Sequence, residues 1–237
     1  MKKYITLFFI SVISTYCYGQ QLYLIPQLGL NVNTYNFDET SSNLSDQRFS
    51  PGVTAGLGLN IGLNELRTFI IQPEINYSMR TNRTDHLLES ALESNATTTV
   101  IQKSTLHYLE IPVLARFDFG IGTRYYFNIG PSFSYAFAGR EKQESHEPLI
   151  ESYNRKVDFD NRFNRTDWGA IIGGGVEFPV NDSFFVVDAR FSWGFHTLYR
   201  SREVQSIVDG SPTSTTVGPE GKSRIITLSI GYALPLN

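Results

Sequence analysis

Ser192, His196 and Asp167 are the residues of this chain whose types suit covalent chemistry. Ser192 and His196 stand four positions apart, and Asp167 opens a neighbouring segment, so a nucleophile, a base and a carboxylate come within plausible reach. No strained turn and no oxyanion-hole motif accompanies them. His196 therefore reads as a rim histidine. His107 with Thr105 is a weaker pair, because no carboxylate shares its face. The chain has four histidines, scattered without metal-ligand spacing. The expectation is a protein that is not an enzyme and holds neither metal nor cofactor.

A second chemistry is offered by charge. Glu74, Arg80, Glu110, Arg116, Asp118, Asp167, Glu177, Asp188 and Arg190 recur at alternate positions of otherwise apolar segments. Their mixed signs favour mutual pairing over the single-sign ring of an ion filter. What positions them is legible in "YLEIPVLARFDFG" (108–120). Leu109, Ile111, Val113, Ala115, Phe117 and Phe119 alternate with Tyr108, Glu110, Pro112, Leu114, Arg116 and Asp118. Period-2 alternation marks a strand with two unlike faces.

The same pattern recurs in "LYLIPQLGLNV", "GVTAGLGLNI", "FIIQPEINYSMR", "YYFNIGPSFSYAFAG", "DWGAIIGGGVEF", "FFVVDARFSWGFH" and "IITLSIGYAL". Each segment approaches the ~9–11 residues of a tilted transmembrane strand. Short turns ("GLNEL", "GIGTR", "VNDS") alternate with long polar stretches, roughly residues 36–50, 81–104, 140–165 and 199–223. Only "DHLLESALES", Asp85–Ser94, has helical character, and it falls in one of these stretches. With no second sheet and no substantial helix to cover them, the apolar faces point outward to lipid and the charges inward. The fold expected is all-β: an eight-stranded antiparallel up-and-down transmembrane β-barrel with short periplasmic turns and four long extracellular loops. Tyr77, Tyr135, Trp168 and Trp193 near the long-loop ends, with Tyr125 and Phe185 near the short turns, form the expected aromatic girdles.

The N-terminus agrees with export. Lys2 and Lys3 precede an apolar run from Ile5 to Ile13 and small residues near Gly19. That is the layout of a signal peptide over residues 1–19, leaving residues 20–237 as one barrel domain. The single cysteine, Cys17, departs with it, so no disulfide is expected. A net charge of −3 without a basic block gives no sign of nucleic-acid binding.

Taken with the signal segment, "YLEIPVLARF", "FNIGPSFSYAFAG", "WGAIIGGGVEFPV" and "LSIGYAL" resemble the PorT-like outer-membrane β-barrel family of Gram-negative bacteria, of porin-family type. The resemblance spans the mature chain and implies fold and compartment. It implies no shared catalytic set. The chain departs from many outer-membrane barrels by ending on Leu236–Asn237 rather than on an aromatic residue.

An eight-stranded bore is just wide enough for side chains to fill. The nine charges are therefore expected to form a packed salt-bridge plug. Arg190 should pair with Asp188 or Glu177, with Gly173 and Gly175 leaving room across the turn. The loops hold roughly 90 residues, and loops on a rigid scaffold are where binding usually sits. The function expected is structural or surface-binding, with a solute pore as the alternative and a rim-located lipid-modifying or proteolytic enzyme as a third reading. Expected partners are outer-membrane lipid, the assembly machinery during biogenesis, and an extracellular or envelope protein held by the loops.

Overall fold

Alternate apolar side chains dictate the architecture. In a computed structural model of the chain, described for residues 21–36, 45–48, 50–64, 66–89, 97–145, 152–157, 159, 164–197, 202–208, 211–217 and 222–236, they form twelve strands. These are β1 (Leu22–Asn36), β2 (Ser45–Arg48), β3 (Ser50–Gly62), β4 (Phe69–Glu89), β5 (Thr97–Phe119), β6 (Arg124–Ser145), β7 (Tyr153–Lys156), β8 (Thr166–Val180), β9 (Ser183–Thr197), β10 (Arg202–Val208), β11 (Ser211–Val217) and β12 (Lys222–Pro235). The signal segment, residues 1–19, lies outside the described residues.

Eight of the strands close into one antiparallel ring, β1-β3-β4-β5-β6-β8-β9-β12, with β12 returning to β1. Closure leaves no unpaired ladder edge within the wall, as hydrocarbon demands. The turns at one end are tight. Gly120 (φ 108°) and Gly122 (φ 78°) carry the β5–β6 turn, and Asn181 (φ 55°) the β8–β9 turn. Glycine takes these left-handed values without a Cβ clash, and asparagine tolerates them.

The burial is inside out. Ile172 is 55% exposed and Leu228 57%, while Asn31 and Glu177 inside are fully buried. A soluble monomer rarely leaves such a continuous apolar belt in water. No helix among the described residues is long and apolar enough to cross a membrane; the crossing is made by strands.

The long polar stretches are more ordered than expected. Asp85–Glu89, read from sequence as part of a helix, is strand, and the rest of that stretch lies outside the described residues. The ladder from Asp85↔Ile101 to Glu89↔Thr97 satisfies its backbone, which a helix of a few residues could not do alone. β4, β5 and β6 thus run well beyond the apolar belt. β2 pairs with the extension of β4, β7 with that of β6, and β10 with β11 as a separate hairpin.

Candidate functional site

Even-numbered residues of β4, β5 and β9, odd-numbered residues of β8, and even-numbered residues of β6 as far as Ala136 point into the bore. All nine charges read from sequence lie on this inner side. Glu74, Arg80, Glu110, Arg116, Asp118, Glu177, Asp188 and Arg190 are buried, and Asp167 is half-buried near the rim.

They connect in three tiers. Nearest the short turns, Arg116 donates through Nε and Nη2 to both Asp118 oxygens at 2.6 and 2.8 Å. Its Nη2 also lies 2.6 Å from Glu177 Oε1, a charge contact without hydrogen-bond alignment. Its guanidinium stacks 3.5 Å above the Tyr126 ring centre, and Tyr126 Oη donates to Asp188 at 2.7 Å.

In the middle tier Arg190 donates to both Glu74 oxygens at 2.7 and 2.9 Å. Its Nε lies 2.5 Å from Asp188 Oδ1. Glu74 also accepts from Gln27, Gln72 and Asn76. The expected partner Glu177 is a correction: it is held by Arg116, with Arg67 3.8 Å away, and does not face Arg190. Gly173 and Gly175 stand opposite Arg190 and Asp188. A Cβ on Gly175 would sit 2.5 Å from Tyr126 Oη, so the missing side chain makes space for that phenol.

In the tier nearest the long loops Arg80 donates to Glu110 at 2.8 Å and to Ser134 at 3.1 Å, and lies 3.9 Å from Asp167. Asp167 accepts from Ser223 Oγ at 2.8 Å and from the main-chain N–H of His196 at 3.2 Å. It is thus engaged by a different serine and by the histidine backbone, not its ring. Among the described residues no hydrogen bond joins Ser192 to His196. His107 instead shares a 2.7 Å hydrogen bond with Tyr77 on the outer wall.

One end of the bore is stoppered by a residue that strand alternation cannot assign. Arg67, in the β3–β4 turn at φ 50°, folds inward until it is 1% exposed. Its guanidinium lies 4.1 Å from the Tyr23 ring centre and 5.3 Å from that of Phe184. Burial lowers its pKa from the ordinary arginine value, with Glu177 pulling the other way; arginine stays charged regardless. The one sequence signal is a cation in a tight turn. At the long-loop end Val157 and Phe159, from the connection after β7, pack on Leu106, Tyr108 and Ala136. Between the tiers a gap of about 30 Å³ lies among Gln27, Asn76, Glu110 and Arg190, room for water rather than a solute path.

Outside, Tyr77, Tyr135, Trp168 and Trp193 ring the wall at the long-loop end, and Tyr125 and Phe185 at the other. Between them lies a band of Leu, Ile and Val. A model of the outer membrane protein beta-barrel domain matches residues 19–200. The chain belongs to that family. Its place is the cell outer membrane. No curated protein matches at a significant level. Among solved structures, OprG of Pseudomonas aeruginosa is 9% identical with a TM-score of 0.49, covering 92% of this chain and 96% of its own. Ail of Yersinia pestis, in complex with the heparin analogue sucrose octasulfate, is 13% identical at 0.40, covering 91% and 99%. Outer membrane protein W of E. coli is 15% identical at 0.35, covering 90% and 97%. At such identities and scores nothing about ligand or activity passes to this barrel.

Proposed function

We propose that this barrel is a non-enzymatic surface protein with a closed bore, working through the strand extensions and loops above the membrane as a structural or partner-binding element. The observation that carries the reading is the continuous filling of the lumen. Three arginine-centred tiers span it, and Arg67 stops one end. A solute would have to break paired, buried charges, which costs several kcal/mol per ion stranded. Asp167 is spoken for by Ser223, Arg80 and the His196 backbone, which argues against a catalytic role at the rim.

Within the family we place the chain beside the PorT-like barrels on its shared strand motifs, with residues 1–19 removed on export. Planar-bilayer recording of the purified protein tests the central point. The expected trace is flat. A steady, reproducible conductance in the wild-type protein would replace this reading with the pore. Cross-linking in the native outer membrane, followed by identification of what the loops hold, tests the binding half.

A further inference from the structure

Beyond the aromatic row at the short-turn end, two turns enclose a notch that the closed lumen does not require. Leu66, in the β3–β4 turn, lies three residues past Phe69, and Ile121, in the β5–β6 turn, lies two residues past Phe119. Leu66 is 80% exposed and Ile121 fully exposed. Both turns are built to hold them there. The Asn64 side chain accepts from the main-chain N–H groups of Thr68 and Phe69 at 2.9 and 3.2 Å, which pins the first turn. Gly120 and Gly122, both at positive φ, carry the second. Between the turns lies a hollow of about 460 Å³, lined by Leu66, Ile121, Thr68, Asp118 and Arg124.

Three arginines meet two inward carboxylates at this end. Arg116 holds both Asp118 oxygens and lies against Glu177, and Arg67 stands 3.8 Å from Glu177. Arg124 is directly across the ladder from Glu177, yet it makes no ion pair among the described residues. Its Nη1 is buried without a hydrogen-bond acceptor. Asp182, in the β8–β9 turn, is exposed and pairs with no arginine among the described residues. A buried donor without an acceptor costs free energy until one arrives. The order of groups along the barrel axis then decides what can supply it. Arg124 adjoins the girdle residue Tyr125 and so lies on the membrane side of the notch, whereas Leu66 and Ile121 lie farther out. A lipid has the reverse order, with its chains toward the membrane and its charge away.

We infer that this notch receives the C-terminal carboxylate and apolar last residue of a polypeptide on the short-turn side of the membrane, which is the periplasm in the orientation such barrels adopt. A chain end arriving from the water meets the groups in the right order. Its carboxylate goes deepest, to Arg124, and its last side chain rests beside Leu66 and Ile121. Asp118 opposes the anion little, because both its oxygens are engaged by Arg116. The site stands on the opposite side of the membrane from the loops and does not depend on what they hold.

Fluorescence anisotropy of the full chain in zwitterionic nanodiscs tests this, with labelled Ser-Gly decapeptides that end in Leu, Val or Phe. Each peptide is made as the free acid and as the C-terminal amide. The free acids should bind, and amidation should weaken binding on the order of 10- to 100-fold, the worth of a hydrogen bond to a charged group. Arg124→Gln should erase the difference between acid and amide, and Arg124→Lys should keep it. Leu66→Ser with Ile121→Ser should weaken acid and amide alike, on the order of tenfold. Unchanged electrophoretic heat-modifiability checks that each variant is folded. Equal binding of acid and amide by the wild-type protein, or no binding of any free acid, overturns the proposal. Displacement of the peptide by laurate at matching concentration overturns it in favour of a lipid anion.

Discussion

Arg190 and Glu74 clasp each other across the full diameter of the barrel. Their strands, β9 and β4, are four steps apart in either direction around the eight-membered ring, yet both guanidinium Nη atoms reach the carboxylate within 2.9 Å. One bidentate pair thus ties opposite walls together.

Arg190→Ala should lower stability by about 3–5 kcal/mol, because it leaves Glu74 and Asp188 buried without their cation. Replacing the pair by Arg190→Met with Glu74→Met should recover most of that loss. Urea titrations of the protein folded into lipid vesicles measure both. A single-variant loss that the double variant does not reduce would contradict the clasp.

Val113 and Ile172 face lipid near mid-wall. Arginine at either position should destabilise the folded barrel by about 2–4 kcal/mol, whereas Ser132→Asn, inside the bore, should cost far less. The same vesicle titrations decide. Equal tolerance on both faces would mean that the wall is inverted.

Phe159 packs on Leu106, Tyr108 and Ala136 at the long-loop end while Arg155 and Lys156 stand exposed nearby in sequence. Phe159→Asp should release the connection and accelerate tryptic cleavage after Arg155 and Lys156. The barrel should keep its heat-modifiable migration, because the wall ladders are untouched. Limited proteolysis with mass mapping reads the outcome.

Gly175→Ala should destabilise by about 1–3 kcal/mol, the usual range for overpacking. The new methyl meets the Tyr126 phenol and the main chain of Val187. Adding Tyr126→Phe removes the hydroxyl 2.5 Å from that methyl and should recover part of the loss, the closer Val187 main-chain oxygen remaining. Full additivity of the two changes would show that the crowding lies elsewhere.

The wall was legible because its signal is local. A strand with lipid on one side and polar groups on the other writes its two faces into adjacent letters, so the eight segments, the girdle residues and the inward set all follow from parity. Opposition across the bore is not local. Whether Arg190 meets Glu177, two turns of pattern away, or Glu74, on the far wall, depends on strand order and stagger, and the carboxylates look alike in sequence. Arg67 escaped for a related reason: it belongs to a turn, where parity has no meaning, and only the direction of one side chain makes it a stopper. The extensions of β4 and β5 were misread because polar alternation in water resembles loop composition, and their order comes from pairing with each other.

Above the membrane β4, β5 and β6 continue as a free-standing fence, flanked by β2 on one side and β7 on the other. Each flanking strand is only four residues long, and their sequences, "SDQR" and "YNRK", are rich in charge. Short, charged borders are how sheets avoid recruiting a foreign strand. The fence is therefore guarded against backbone zippering by a neighbouring barrel or an extended peptide. Whatever it recognises must be read by side chains on its two broad faces, so specificity at this surface is a matter of sequence rather than of exposed main chain.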